Sequence, residues 1–130
     1  MIHWLKAAAV AVIAILAPIH SVMLTAGILI FADLLLGVIA AYKRKEAITS
    51  AALRRTVTKI LVYQTAIVTG FLCEKFLLSG SIPVVKLAAG AIGLVEVKSI
   101  MENLNEINGS PIFNSLLSSL GSKNDNPPPK

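Results

Sequence analysis

The most constraining feature of this chain is a run of apolar side chains at residues 22–42 that carries a single charge, Asp33. A helix of this length rises about 30 Å, which matches the hydrocarbon thickness of a bilayer. Two further apolar runs, at 60–78 and 84–104, have comparable length. Three such runs in so short a chain predict an all-α integral membrane protein built from helical hairpins.

The composition supports this class. Hydrophobic residues make up 55% of the chain and charged residues 15%, whereas soluble domains carry roughly 25% charged residues. The low share of aromatic residues, 5%, favours lipid-facing helices over a mixed soluble core. A soluble helical protein that buries these runs inside a large oligomer is the weaker alternative.

The N-terminal segment, residues 1–21, is hydrophobic as well. Residues 2–17 would form a helix of about 24 Å, slightly short of the roughly 30 Å hydrocarbon layer. This helix is either a fourth span, followed by an outer turn at Pro18-Ile19-His20-Ser21, or an interfacial or re-entrant helix. Because the apolar sequence resumes directly after the turn, we expect a retained segment and not a cleaved signal peptide. The predicted fold therefore has three to four transmembrane helices.

A basic connector between the first two long runs sets the predicted orientation. Segment 43–59 holds six cations and one acid, which accounts for the whole formal net charge of +5. Such a loop between hydrophobic spans is retained in the cytoplasm, whereas nucleic-acid binding would place the same charge on a soluble domain. We expect this loop and the C-terminus on the cytoplasmic side. The cations are Lys43, Arg44, Lys45, Arg54, Arg55 and Lys59.

Two acids within the predicted spans are the first candidates for a functional role. Asp33 and Glu96 lie eleven and twelve residues from the starts of their spans, so we expect them at nearly equal depth. A charge at the bilayer centre costs at least about 2.5–3.5 kcal/mol, so both acids should face protein or water. Either they pair within one chain, with each other or with Lys98, or all three are gating residues at an oligomer seam or pore.

Small residues on the same helices predict close helix packing. Gly37 and Ala41 follow Asp33 at four-residue spacing, and Gly90 and Gly93 give the third long run a smooth surface. Small residues at this spacing let helix backbones approach closely in membranes. The packing lies either within one bundle or between chains.

The C-terminal part leaves the membrane. After the membrane core, residues 22–109, a Ser-Pro pair at 110–111 fits an N-cap followed by proline at the first helical position. We expect a short amphipathic helix over 110–121, lying on the inner membrane face or on a neighbouring subunit. Residues 122–130 are expected to be a disordered tail.

The sequence offers no pattern for catalysis or for a cofactor or metal site. His3 and His20 are isolated, Cys73 is the only cysteine, and no Gly-rich phosphate loop follows a strand. We therefore expect neither an enzyme nor a protein that binds a small-molecule substrate or nucleic acid.

Two motifs resemble a known family. In the first, Asp is followed by Gly at +4, Ala at +8 and a basic stretch with Ser and a closing Lys; the second reads E-x-x-S-I-x-E-N, then a spacer and G-x-P-I. Over residues 24–117 the chain resembles the phage-lysis and toxin-secretion holin family of phages and prophages of Gram-positive bacteria. The matching positions are Asp33, Gly37, Ala41, Lys43, Ser50, Arg54 and Lys59, then Glu96, Ser99, Ile100, Glu102, Asn103, Gly109, Pro111 and Ile112.

The resemblance implies a multi-pass protein of the bacterial cytoplasmic membrane that oligomerises into lesions at a set time. Such lesions would permit release of an endolysin or a toxin. The implied partners are membrane lipid, further copies of the chain and, functionally, an endolysin. The alternative is a non-lytic membrane scaffold or a small channel or transporter accessory subunit.

Overall fold

The computed structural model describes residues 2–111 together with residues 115, 118 and 119. Within these residues the chain forms helices joined by short turns and contains no strand, which confirms the all-α prediction. The helices are α1 (Ile2–Leu16), α2 (His20–Lys43), α3 (Ser50–Leu72) and α4 (Val84–Asn108), with a 3-10 turn at Ala17–Ile19 and a π-helical turn at Cys73–Leu77.

The 3-10 turn joins α1 to α2 without a loop, so the two form one helical stretch, Ile2–Lys43, of 42 residues. Pro18 sits at the start of this turn, where its missing N–H breaks no required hydrogen bond. The outer turn predicted at Pro18-Ile19-His20-Ser21 is therefore wrong. Proline changes the helix type for one turn and does not reverse the chain.

Helices α2, α3 and α4 form a three-helix bundle, and none of the α1 side chains is buried by the rest of the chain. Helices α2 and α4 run in parallel, because the C-terminal end of α2 contacts the C-terminal end of α4. Helix α3 runs in the opposite direction and packs against both of them. The core is made of small and branched apolar side chains plus one phenylalanine: Ile19, Ala26, Ile67, Phe71, Val85 and Ile92.

Helix α2 ends in a Schellman motif at the basic connector. Lys45 adopts the left-handed conformation, with φ of 59°. Its N–H donates to the carbonyl of Tyr42, and the N–H of Glu46 donates to the carbonyl of Ala41. These bonds satisfy the last carbonyls of α2 and stop the helix.

The connector is shorter than the basic loop predicted over 43–59. Helix α3 begins at Ser50, with Thr49 at its N-cap position, so only residues 44–49 lie outside helices. Arg54, Arg55 and Lys59 are therefore helical. Their nearness in the sequence predicts one group of cations at the connector. Lys59, the last of them, lies instead inside the bundle.

A polar turn at residues 79–83, between the two apolar runs, separates the α3 side of the bundle from α4. At its edge the side chain of Glu74 accepts a hydrogen bond of 2.9 Å from the N–H of Val85, which satisfies one free donor in the first turn of α4. Gly109 ends α4 in the left-handed conformation, with φ of 72°.

Two stretches of the described residues are long and apolar enough to cross a membrane, Ile2–Lys43 and Ser50–Leu77. Helix α4 is not among them, since its second half carries several charges. The predicted count of three to four spans is therefore not confirmed. The amphipathic helix predicted at 110–121 lies mostly, and the tail at 122–130 entirely, outside the described residues.

Candidate functional site

One lysine joins all three helices of the bundle. The Nζ of Lys59 on α3 lies 2.7 Å from Oδ2 of Asp33 on α2 and 3.1 Å from the carboxylate of Glu96 on α4. The Glu96 side chain is fully buried, and those of Asp33 and Lys59 are mostly buried. The two acids that the sequence places at equal depth thus meet at a single ammonium group.

Neutral side chains complete the hydrogen bonding of both acids. Ser99 Oγ and Asn103 Nδ2 donate to Oδ1 of Asp33, at 2.6 and 3.0 Å, and the hydroxyl of Tyr63 donates to Oε1 of Glu96 at 2.7 Å. A buried charge is tolerated only when it is paired and hydrogen-bonded. We call this group the ion cluster; its members are Asp33, Lys59, Tyr63, Glu96, Ser99 and Asn103.

Helical spacing places these residues on facing surfaces. Glu96, Ser99 and Asn103 stand at i, i+3 and i+7, which share one face of α4. Gly37 lies one turn beyond Asp33, and a Cβ at that position would be 3.6 Å from Asn103 Nδ2. A Cβ would make only an ordinary contact at that distance, whereas a larger side chain would compete with Asn103 for the space beside Asp33.

Lys98 does not take part, so the prediction that it pairs with Asp33 or Glu96 is wrong. It stands two residues after Glu96, and side chains at that spacing point away from each other. Its ammonium group is exposed and lies 3.6 Å from Glu102, one turn along α4. The missed cation, Lys59, could have been found from its spacing of eight residues to the buried Ile67, which marks the inner face of α3.

A second polar contact closes the connector end of the bundle. Lys43 donates to the carbonyl of Ile107, and Arg44 forms ion pairs with Glu106 and, at 3.0 Å, with Glu46. A cation beside the last carbonyls of α4 is favoured by the helix dipole. The hydrogen bond between Arg44 and Glu46 raises the pKa of the guanidinium and lowers the pKa of the carboxyl.

The other predicted packing residues differ in their surroundings. Ala41 is half-buried beside the connector, whereas a Cβ added at Gly90 or Gly93 would meet no atom of the described residues within 4 Å. These two glycines therefore do not serve close packing inside the bundle.

The remaining motif and connector positions are peripheral to the ion cluster. Among the described residues, no group of three His, Cys, Asp or Glu side chains is arranged to hold a metal ion. Ile100 is half-buried and Gly109 caps α4, whereas the exposed positions are Lys45, Arg54, Arg55, Glu102 and Pro111.

Comparison with known families decides the identity of the chain. The model of the bacteriophage holin family matches residues 10–122. The chain belongs to the bacteriophage holin family. This match confirms the resemblance drawn from the two motifs, and it covers every member of the ion cluster. No curated protein and no solved structure gives a significant match.

Membership fixes the broad class of the protein. The holin family is a membrane pore-forming family and not an enzyme family. Together with the two long apolar stretches, it identifies this holin-family chain as a protein of the cell membrane.

Proposed function

We propose that this chain acts as a holin, which accumulates in the cytoplasmic membrane of a bacterial host and assembles into lesions through which an endolysin reaches the cell wall. The family match over residues 10–122 carries this proposal. Lesions of the same kind would also release a toxin where the host makes one.

The proposed orientation places the connector in the cytoplasm. Lys43, Arg44 and Lys45 lie at the same end of the bundle as Arg54 and Arg55, and cationic segments are retained inside. Helix α2 then runs inward, α3 outward and α4 inward again, so the C-terminus is cytoplasmic.

The ion cluster supports α4 as a membrane-crossing helix despite its charges. Glu96, the acid nearest its middle, is fully buried and bound by Lys59 and Tyr63. Intramembrane ionisable groups face the bundle interior and pair there.

The placement of α1 is limited by length, because a straight helix over Ile2–Lys43 would be roughly 63 Å long, about twice the hydrocarbon layer. Helix α1 must therefore bend at Pro18 or leave the membrane.

Assembly is supported by the outer surface of α4. Gly90 is exposed and has open space where a side chain would stand, while Leu87 and Leu94 are exposed beside it. A surface of small residues lets a helix of a second copy approach closely, which is how membrane helices associate without a hydrophobic driving force.

Timed co-expression with an endolysin that has no export signal tests the function. We expect growth to stop abruptly and the cells to lyse at a reproducible time, with collapse of the membrane potential at that moment. An energy poison should advance the event, since moving one charge across 100 mV is worth about 2.3 kcal/mol.

The controls separate the membrane step from wall cleavage. This chain with a catalytically inactive endolysin should stop growth and collapse the potential without lysis, and the endolysin alone should do neither. Cells that stay energised and intact with both proteins present would contradict the holin function. A stable, non-toxic complex with a larger membrane protein would instead favour the accessory-subunit alternative.

A further inference from the structure

The seam between α2, α3 and α4 holds two cavities, one on each side of the ion cluster. The first, which we call the vestibule, has a volume of about 290 Å³ and extends from the connector to the cluster. Its mouth is lined by Arg44, Glu46 and Arg55, and its inner end by Asp33 and Lys59. Polar groups therefore follow this route from the bundle end into the bundle.

The second cavity, which we call the far cavity, lies toward the other end of the same seam. Its volume is about 230 Å³, and its lining includes Ser21, Thr25, Ile67 and Gly93. Gln64, one turn before Ile67 on α3, donates from its amide nitrogen to the carbonyl of Met23, while its buried Oε1 has no partner among the described residues. A buried acceptor of this kind is commonly satisfied by water.

A single layer separates the two cavities. On α2, Ala26 lines the far cavity and Asp33 lines the vestibule, a separation of roughly 10 Å along the helix. Between them Ile30 is only 1% exposed. At the same level Tyr63 is hydrogen-bonded to the fully buried Glu96. We call Ile30, Tyr63 and Glu96 the closing layer.

The lining of the vestibule carries charges of both signs. Arg44, Arg55 and Lys59 face it together with Glu46 and Asp33. Arg44 is paired with Glu46, and Lys59 is paired with Asp33. Beyond the inner end the apolar side chain of Ile30 is tightly packed, and an apolar constriction blocks permeation by excluding water.

We propose that this seam is an interrupted path for small ions within a single chain. The vestibule admits water and small ions as far as Asp33 and Lys59, and the closing layer stops them. The path is separate from the large lesions of the proposed function, because it needs no second copy. Opening the closing layer would let small ions leak while an endolysin remained confined.

The test replaces Ile30 by a small polar residue. The full chain with Ile30→Ser is reconstituted at a few copies per liposome, and loss of a potassium gradient is measured. We expect the gradient to be lost at a rate proportional to the number of chains per vesicle, with no loss for the wild type. The matched control is Ile28→Ser on the outer face of α2, where the isoleucine is 58% exposed. Vesicles with this variant should retain their potassium gradient.

Two outcomes would overturn the proposal. They are retention of the gradient by Ile30→Ser and a leak that rises steeply with protein density, as multi-chain lesions require. Because no endolysin is present, failure here leaves the lysis result of the proposed function unaffected.

Thiol labelling keeps the proposal testable if Ile30→Ser does not fold. In a Cys73→Ser background, Val38→Cys places a thiol in the vestibule and Ile39→Cys places one on the outer face of the same helix. A cationic, membrane-impermeant reagent applied from the connector side should modify the first and not the second. Equal protection of both thiols would show that the vestibule is dry and overturn the proposal.

Discussion

The ammonium group of Lys59 offsets the negative charge of two carboxylates that lie among apolar side chains. It lies 2.7 Å from Asp33 and 3.1 Å from Glu96. Removing one partner of a buried ion pair is costly because the other charge stays buried without compensation. The lysine side chain is 22% exposed, which reduces this cost through screening.

Replacing Lys59 by methionine should therefore destabilise the bundle. We expect Lys59→Met to lower the free energy of unfolding by about 1–3 kcal/mol, less than the loss for a fully buried pair. Adding Asp33→Asn and Glu96→Gln should restore part of the loss, since no charge is then left unpaired. Thermal unfolding in detergent, followed by circular dichroism, measures both effects.

Lys98→Met is the matched control, because Lys98 is exposed and pairs only with Glu102 one turn away. Its unfolding midpoint should stay close to that of the wild type. Equal destabilisation by Lys59→Met and Lys98→Met would show that the cluster contributes nothing specific.

The residues of the cluster were only partly predictable from the sequence. Asp33 and Glu96 were found because an acid in an apolar run is expensive and because residue counting gives depth. Lys59 was missed because the basic stretch 43–59 was assigned as a whole to the cytoplasmic side, although a helix starting near Ala51 was expected to run on into the second span. Depth alone also favoured Lys98, whereas helical direction, which places it away from Glu96, excludes it.

Between elements, α4 comes close to α2 at Gly37, where a Cβ would fit at ordinary contact distance but a longer side chain would not. A side chain there would extend toward Asn103, whose amide reaches both the backbone carbonyl and the carboxylate of Asp33. The absence of a large side chain at position 37 thus affects both the parallel contact of α2 with α4 and the hydrogen bonding of the cluster.

Gly37→Leu should separate α2 from α4 and lower the unfolding midpoint in detergent. Gly90→Leu is the matched control, since it makes the same exchange in a helix interior and therefore brings the same gain in helix propensity. It meets no atom of the chain and should leave the midpoint of the isolated chain unchanged or higher.

The two substitutions Gly37→Leu and Gly90→Leu also distinguish contacts within a chain from contacts between chains. If Gly90 packs against a second copy, Gly90→Leu should delay lysis although the isolated chain stays stable. A lower midpoint for Gly90→Leu than for Gly37→Leu would contradict the assignment of the two glycines.

The helices themselves were largely predictable. Apolar length placed α2, the apolar part of α3 and most of α4, and the polar stretch at 79–83 lies where the structure has a turn. The connection at Pro18 was not predictable in this way, because proline fits the first turn of a continuing helix as well as a loop. Residue pattern also gave no partner for α1, whose side chains are exposed among the described residues except for the half-buried Leu16.

For the whole molecule, the apolar surface of the bundle and the cationic connector need different surroundings at the same time. Large apolar side chains such as Leu24, Ile28 and Phe31 are exposed along α2, so the bundle needs lipid or other copies around it. The arginines and lysines near the connector need water, and in the proposed orientation they lie on the cytoplasmic side, where cationic segments are retained. The proposed function and the direction of the vestibule both depend on this placement.

Labelling of engineered thiols on intact cells tests this placement most directly. In a Cys73→Ser background, Ala47→Cys introduces a thiol in the connector and Ser81→Cys introduces one in the turn between α3 and α4, both at exposed positions. An impermeant thiol reagent added outside should modify the thiol at position 81 at once, and the thiol at position 47 only after the membrane is permeabilised. Ready labelling of position 47 on intact cells, with protection of position 81, would contradict the proposed orientation.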